Sequence, residues 1–477
     1  MEAKKHPLLD EQSEAETNHF TGTVVREGNS VTFLPSGSQS YAKRWELIEN
    51  ARNSIDLASF SVMKDGTSQR LRDLLAEKIR QGVAVRLVVD DAAIFSSSTG
   101  GILNEMSKAG VEVIRYHKIF RDWLPDLRKG HRFRQLVNNV RYIIKRRFHE
   151  KYTVVDGREA ILGGINWGDK YALGGIKPEA WRDTDVYLSG PVVADVQRQF
   201  IESFFLYQAM DEEYQARHQA GFSREAHYEA ARQRAQAQIK EKEQIYFPPL
   251  PATGVERVRY VPHKPYDEER LRLTEGLILM LRKAEKYIYW GCHAIRPPRI
   301  LAETLAEAVQ RGVEVRLITN SRKSSRALMA SGFLGFMYWQ CANHFRWLAE
   351  HGIKIFEWQK PGAFHSKNLV IDDVVASVGS YNVAGGSTFH HTESNVVVYG
   401  GDFPAAVRQQ FEIDLKDCSE VSLSETKVPL RLFNPFLRPL HQRNLLIDRS
   451  LLTDSIKRDL DAGKFKPTSP EISRSGK

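Results

Sequence analysis

Several features that would define a class of protein are missing from this sequence. The three cysteines, Cys292, Cys341 and Cys418, are far apart and have no paired spacing. They predict neither a disulfide framework nor a zinc site, and they are typical of a reducing compartment. No run of about 18 apolar residues is present, so we expect no membrane-spanning helix. The polar start of the chain has no apolar core of a signal peptide, and no acidic cluster resembles a magnesium site.

The composition is that of an ordinary soluble protein, with 42% hydrophobic and 27% charged residues. A chain of 477 residues is long enough for two or more domains with their own cores. The formal net charge is +9, and the window 115–147 alone contains eleven Lys or Arg against two Asp. The rest of the chain is therefore balanced in charge.

Two strings, 148–156 and 364–372, share the pattern His-x-Lys followed by Asp five residues after the Lys. The residues are His149, Lys151 and Asp156 in the first string, and His365, Lys367 and Asp372 in the second. Each string is followed by a short Gly-led patch that ends in Asn, at Asn166 and at Asn382. Two matching strings in one chain indicate a duplicated catalytic unit.

The surrounding sequence repeats as well. Helices are predicted at 42–51, 68–80, 271–286 and 301–310, and strands at 54–62, 83–90, 287–290 and 313–318. Alternating strands and helices favour an α/β sheet with parallel crossovers. The offset between equivalent segments is 230, 242 or 216 residues, so each copy has its own insertion.

These patterns predict an α/β protein with two pseudo-symmetric halves, each a mixed sheet flanked by helices, packed around one shared active site. The predicted parts are a flexible N-terminus at 1–22, a first half at 23–215 with a basic insertion at 115–147, a helical linker at 216–254, a second half at 255–420, and a basic, apolar extension with a disordered end at 421–477.

The motif itself suggests a reaction. Residues two apart in a strand face the same side, which places each His beside its Lys. If both halves meet, two His and two Lys form a cationic pocket suited to a phosphate. One His can attack phosphorus and the other can move a proton. The lysines, helped by Asn166 and Asn382, would stabilise the phosphoryl oxygens, so no metal or other cofactor is expected.

Each histidine also needs an acceptor on its second ring nitrogen. Asp183 and Glu393, shortly after the two Asn residues, are the candidates, with Asp185 as an alternative to Asp183. Asp156 and Asp372 belong to the repeated catalytic pattern. Their odd spacing from the lysines and their places at turns favour a structural role in fixing the hairpin.

The strings His-x-Lys-x4-Asp and Gly-(Gly/Ser)-x-Asn resemble the signature of the phospholipase D superfamily, over most of residues 40–415. Within it, 163–171, 181–186 and 190–193 resemble bacterial cardiolipin synthases and their phosphatidyltransferase relatives. The resemblance implies phospholipase D-like halves, and a phosphatidyl group passed through a histidine to an alcohol. It implies His149 as the nucleophile and His365 as the acid and base. The chain departs from some cardiolipin synthases in having no N-terminal transmembrane helices, and in its insertion and tail.

The basic insertion has aromatic and aliphatic residues between its bases, which is typical of a segment lying on an anionic membrane surface. The residues expected at the membrane are Trp123, Arg132, Arg134, Arg146 and Arg147. Each base near such a surface contributes about 1 kcal/mol. A nucleic-acid contact, or a face packed inward or solvated, is the alternative.

Together these features predict a phosphatidyltransferase of the cardiolipin synthase type, peripheral on the cytoplasmic face of the inner membrane. Its expected partners are an anionic phospholipid membrane and a phospholipid substrate. The alternatives are a phospholipase D that hydrolyses phospholipids to phosphatidic acid, a phosphodiesterase acting on nucleic acid, and a non-enzymatic phosphate-binding scaffold. No nucleic-acid partner is expected, because the aromatic residues form an amphipathic pattern rather than a stacking groove.

Overall fold

The computed structural model describes residues 5–91, 99–116, 146–217, 219, 221–265, 271–326 and 335–422. The chain divides into two compact units. The His149 unit comprises residues 26–173 and 185–255, and the His365 unit comprises 1–25, 174–184 and 256–477. The short segment 174–184 thus belongs to one unit while its flanking residues belong to the other.

The described elements are numbered in chain order. The helices are α1 Glu11–Thr21, α2 Gly37–Asn50, α3 Gly66–Arg80, α4 Thr99–Lys108, α5 Asp169–Ala172, α6 Val193–Ala216, α7 Arg224–Glu241, α8 Glu243–Tyr246, α9 Arg272–Arg282, α10 Arg299–Gln310, α11 Arg322–Arg326, α12 Gly335–Glu350, α13 Gly385–Phe389 and α14 Phe403–Leu415. The strands are β1 Arg26–Leu34, β2 Ser54–Ser59, β3 Ala84–Asp90, β4 Glu112–Tyr116, β5 Arg147–Phe148, β6 Tyr152–Val155, β7 Glu159–Gly163, β8 Asp185–Ser189, β9 Glu256–His263, β10 Tyr287–Cys292, β11 Glu314–Asn320, β12 Lys354–Trp358, β13 Lys367–Ile371, β14 Val375–Gly379, β15 His391–Tyr399 and β16 Cys418–Glu420. A 3₁₀ turn, Pro7–Leu9, precedes α1.

The sheet of the His149 unit has the order β1-β8-β7-β6-β2-β3-β4. The pairs β2–β3 and β3–β4 are parallel, and the other neighbours are antiparallel. The central strands β2 and β6 are buried along their length. Because β6 begins just after Lys151, the first motif lies at the end of a central, fully buried strand.

The sheet of the His365 unit repeats this order as β9-β15-β14-β13-β10-β11-β12, with β16 added at the edge. The parallel pairs are again next to each other, β10–β11 and β11–β12. Strand β13, which begins at Lys367, corresponds to β6. These two sheets confirm the predicted class of two α/β halves, each a mixed sheet flanked by helices.

Helices α3 and α10 show how the repeated sequence becomes repeated structure. Asp65 caps α3 by accepting a hydrogen bond from Ser68 N, and Leu71 and Leu75 are buried on one face. Glycines Gly82 and Gly312, with φ of 86° and 92°, follow α3 and α10 and turn the chain into the next strand.

The described part of the N-terminus differs from the flexible segment predicted at 1–22. Asp10 caps α1 by accepting from Ser13 N at 2.6 Å, and Gly22 ends the helix with φ of 63°. Phe20 is buried in the core of the His365 unit. The prediction was wrong because a polar composition concealed a helix with a single apolar anchor and good caps.

The predicted linker helix is present as α7 and α8, and no residue of α7 is buried. Within the parts of the chain that the structure describes, no helix has both the length and the apolar composition needed to cross a membrane. Most of the basic insertion, 117–145, and the C-terminal extension from 423 onward lie outside the described residues.

Candidate active site

The second motif is buried at the start of β13. His365 is 6% exposed and Lys367 is 1% exposed. The ammonium of Lys367 donates to the carbonyl oxygen of His365, and its Nζ lies 3.0 Å from His365 Nδ1. Imidazole and ammonium are therefore side by side, although His365 lies just before β13 and not in the strand on which the expectation was based.

Asp183 lies against the imidazole of His365. Its Oδ2 is 2.6 Å from His365 Nδ1, and its Oδ1 accepts a hydrogen bond from Thr184 N at 2.8 Å. A carboxylate can only accept and the Lys367 ammonium can only donate, so the two groups compete for Nδ1, and the shorter contact, to Asp183, favours a hydrogen on this nitrogen. The Trp181 ring lies 5.1 Å from the His365 ring and restricts its orientation.

Segment 174–184 is held in the His365 unit by a backbone exchange and an ion pair. Arg182 N donates to Ala363 O at 2.9 Å, and His365 N donates to Arg182 O at 2.7 Å. The Arg182 guanidinium donates two hydrogen bonds of 2.7 Å to Asp414 on α14. This fork fixes the backbone on which Asp183 is carried.

Asn320, at the end of β11, holds the residue in front of His365. Its Oδ1 accepts from Phe364 N at 2.8 Å, and its Nδ2 donates to Phe364 O at 2.6 Å. Sequence reasoning missed Asn320. The available signal was the repeat offset of 230, which pairs it with Asp90 at the end of β3.

The first motif is supported in a similar way. Lys151 Nζ donates to His149 O at 2.5 Å. Asp90 Oδ2 accepts from Phe148 N at 2.6 Å, which anchors the residue before His149. The Phe60 ring lies 5.3 Å from the His149 ring. Both motifs therefore share a lysine bound to the histidine carbonyl and a polar side chain bound to the preceding amide.

Asn166, expected to stabilise phosphoryl oxygens, is occupied by its own unit. Its Oδ1 accepts from Ser61 N at 3.1 Å and from Ser59 Oγ at 3.3 Å, and its Nδ2 donates to Tyr171 OH at 2.8 Å. The side chain is 1% exposed. These bonds make it a brace of the loop after β7 and leave little of the amide for a ligand.

Asn382 is held differently. Its Oδ1 lies 3.6 Å from Cys292 Sγ, and its backbone amide donates to Ser387 Oγ at 3.2 Å. The residue is half-buried. Of the two Asn residues, Asn382 therefore fits the expected phosphate-stabilising role better.

Asp156 and Asp372 cap the starts of the neighbouring strands. Asp156 Oδ1 accepts from Asn53 N and Ser54 N, at 2.6 and 2.8 Å. Asp372 accepts from Glu285, Lys286 and Tyr287 amides and lies 2.9 Å from His6 Nε2. Both have a positive φ, 53° and 57°, at the hairpin turn. This fits the structural role and corrects their assignment to the catalytic group.

The two remaining candidate carboxylates, Asp185 and Glu393, have different surroundings. Asp185, the alternative to Asp183, accepts from Arg44 Nη2 at 2.8 Å and from Ser40 Oγ at 2.5 Å inside the His149 unit. Glu393 is fully buried and accepts from Ser387 Oγ at 2.5 Å. Asp185 is thus a structural acid, whereas Glu393 remains a candidate for orienting a histidine.

Of the residues assigned to membrane contact, Trp123, Arg132 and Arg134 lie outside the described residues. Arg146 is half-buried. Arg147 is 6% exposed, and its Nη1 donates to Asp90 at 3.1 Å. Arg147 is therefore corrected to an internal ion-pair residue, because a buried, paired guanidinium does not offer its charge to a lipid surface.

Burial also changes the pKa of two side chains near the motif residues Asn166 and Asn382. It raises the pKa of the Cys292 thiol, which stays neutral and unreactive. It lowers the pKa of Lys170 on α5 to about 8, although the charge of Asp65 opposes the shift. Lys170 is thus easier to deprotonate than an ordinary surface lysine.

A protein-family model matches this chain. The family described as "Cardiolipin synthase, PLD-like domain" matches residues 45–203 and 277–415, more than half of the chain and both repeats. Cardiolipin synthase 2 of Bacillus anthracis is 26% identical over 389 residues, which cover 81% of this chain and 65% of that protein. Cardiolipin synthase 1 of Staphylococcus epidermidis is 27% identical over 396 residues, covering 82% and 69%.

The chain thus spans about two thirds of the length of these curated relatives. Among solved structures, the phosphatidylserine synthase of Haemophilus influenzae Rd KW20 aligns with a TM-score of 0.61 and 14% identity. The alignment covers 94% of this chain and 99% of that one. At this identity the likeness concerns the fold alone.

Proposed function

Because the chain belongs to the cardiolipin synthase family of phospholipase D-like proteins, we propose that it transfers a phosphatidyl group to an alcohol acceptor. Both His-x-Lys motifs are complete and similarly supported. The observation that supports the proposal most directly is the 2.6 Å contact of Asp183 with His365 Nδ1. The carboxylate orients the imidazole and favours its protonated form, as an acid and base requires.

In the first step, a ring nitrogen of His149 attacks the phosphorus of the donor lipid. A P–N bond forms and the P–O bond to the head-group alcohol breaks, while protonated His365 gives its proton to the departing oxygen. In the second step, the acceptor hydroxyl gives its proton to His365 and attacks phosphorus. The P–N bond breaks, and both histidines return to their starting state.

The two lysines would stabilise the negative charge on the phosphoryl oxygens. Each ammonium donates to the carbonyl oxygen of its own motif histidine, which holds the positive charge next to the imidazole. Asn382 would add a neutral donor.

We further propose a peripheral position on the cytoplasmic face of the membrane, with anionic phospholipid as partner and phospholipid as substrate. The basic, aromatic composition of 115–147 supports this. The relatives named cardiolipin synthase favour a phospholipid acceptor, such as a second phosphatidylglycerol.

The test is incubation of purified protein with radiolabelled phosphatidylglycerol, alone and with added glycerol or phosphatidylethanolamine, followed by separation of the lipids. A product containing two phosphatidyl groups is expected, and His149→Ala protein is the matched inactive control. Phosphatidic acid as the sole product would replace the transferase by a phospholipase D. Cleavage of DNA without lipid turnover would refute both lipid activities.

A further inference from the structure

His293 lies next to His365, at a position that has no histidine in the other unit. It directly follows β10, and Phe60 occupies the equivalent position after β2. The His293 and His365 ring centroids are 4.7 Å apart, and the Phe60 and His149 centroids are 5.3 Å apart. Each motif histidine is thus packed on a ring, but only the ring beside His365 can take up a proton.

Two groups hold the ring of His293 through Nδ1. Phe364 O, an acceptor, lies 3.2 Å from this nitrogen, and Asn320 Nδ2, a donor, lies 3.1 Å from it. Asn320 Nδ2 donates to His293 O at 3.0 Å and so holds the backbone of the same residue. The position of His293 beside His365 is therefore fixed through both its ring and its backbone.

The two charged groups next to His365 have opposite effects on its protonation. Asp183 faces His365 from segment 174–184 and favours a protonated ring, whereas Lys367, on the strand that follows His365, disfavours it. Cys292, beside His293, remains a neutral thiol because burial raises its pKa. A proton on either imidazole makes a cation beside the other, and the repulsion disfavours the second protonation.

We propose that His293 is a positioning residue for His365, which fixes the ring by contact and competes with it for a proton. The two imidazoles bind two protons in two separate steps as a coupled pair. This makes the protonated state of His365 depend on a neighbour that does not itself act on the lipid. The inference rests on the acid and base role proposed for His365, but the coupling is measurable without substrate.

The experiment is a pH titration of the full chain carrying ¹³C-labelled histidine, followed by NMR of the ring Cε1–H signals, with the His365 signal assigned from its loss in His365→Ala. Wild-type His365 is expected to titrate in two steps. In His293→Phe, which copies Phe60, it should titrate in one step, at a pH above the lower wild-type step.

His293→Gln is the second variant, because it keeps a donor for Phe364 O but cannot titrate, and it should also give one step. The matched control is His351→Phe, an exposed histidine of the same unit that stacks on Trp347; its two-step curve for His365 should remain. A two-step His365 curve in His293→Phe or His293→Gln would overturn the proposal. Absence of lipid turnover in wild type would refute the proposed function while leaving this titration unaffected.

Discussion

The residue in front of each motif histidine is held by Asp90 in the His149 unit and by Asn320 in the His365 unit. Asp90 binds the Phe148 amide and also the guanidinium of Arg147. Asn320 binds both the amide and the carbonyl of Phe364 and needs no counter-ion. The same anchoring task is thus done by a buried ion pair in one copy and by a neutral amide in the other. Duplication preserved the backbone position of the histidine but changed the charge around it.

The two motif Asn residues, Asn166 and Asn382, also differ in how firmly hydrogen bonds hold their side chains. Asn166 is braced by Ser59, Ser61 and Tyr171, whereas the equivalent places around Asn382 hold Cys292 and Ser387. A thiol is a weak hydrogen-bonding group, so Asn382 is less firmly engaged than Asn166. Asn166 therefore has a structural role in the His149 unit. Asn382 in the His365 unit fits the expected phosphate-stabilising role better.

The largest expected effect comes from removing either histidine. His149→Ala and His365→Ala should each lower lipid turnover by at least about 10³-fold, because the nucleophile and the acid and base act in the same reaction. Radiolabelled donor lipid should leave an alkali-stable, acid-labile label on wild-type protein and none on His149→Ala. Substantial turnover by either variant would break the assumption that the two copies divide one reaction.

The next effect concerns the carboxylate that orients His365. Asp183→Asn keeps the shape but loses the charge that stabilises a protonated ring, so kcat should fall about 10²- to 10⁴-fold. Asp373→Asn, in a partly exposed ion pair with Arg408, is the control and should change little. Wild-type kcat in Asp183→Asn would contradict the orienting role. An equal loss in Glu393→Gln would extend that role to the second copy, and unchanged turnover would restrict it to Asp183.

The proposed difference between Asn166 and Asn382 can be tested by measuring the free energy of unfolding after each is replaced by Ala. Asn166→Ala should lower the free energy of unfolding by about 2 kcal/mol, because it leaves buried hydrogen-bonding groups without a partner. Asn382→Ala should cost less than about 1 kcal/mol and reduce turnover more than its effect on stability explains. Chemical denaturation and lipid turnover of both variants are the measurements. Equal losses of stability would remove the distinction between the two copies.

The smallest expected effect is at the start of the third strand, where Glu314 in β11 corresponds to Ala84 in β3. Burial opposes ionisation of Glu314, but hydrogen bonds from Lys354 and from two neighbouring side chains lower its pKa to about 2. Because the folded pKa lies below the ordinary value of 4.5, the stabilisation is present above that value and is lost as the pH falls toward 2.

The Glu314 side chain is 33% exposed and its ion pairs are screened by solvent, so its stabilisation at pH 7 should be below about 1 kcal/mol. Unfolding curves of wild type and Glu314→Ala between pH 2 and 7 should therefore converge at low pH. A constant difference across this range would assign the effect to packing instead of charge.

Much of the fold could be predicted because it is local and repeated. Helices α3 and α10 and strands β3 and β11 appear in the sequence as periodic apolar residues ended by Gly82 and Gly312. The His-x-Lys spacing also indicated that His365 and Lys367 are neighbours, although His365 precedes the strand that begins at Lys367. Asp183 was a candidate because a histidine near a phosphate needs an acceptor on its other nitrogen.

The rest depends on contacts between residues that are distant in sequence. Nothing near Asp183 shows that it belongs with His365, which is 182 residues away. Helix α1 was missed because it gains its stability from packing on the His365 unit and not from its own composition. The burial of Arg147 was missed for the same reason, since its partner Asp90 lies at the end of another strand.

The boundaries of the repeats in sequence therefore differ from the boundaries of the units in space. A protease cut in the linker, at 224–245 for example, would leave Asp183 on one fragment and His365 on the other. The contact between Asp183 and His365 would then depend on association of the two fragments. Segment 174–184 is thus part of the first repeat in the sequence, but it supplies the carboxylate that contacts the histidine of the second repeat.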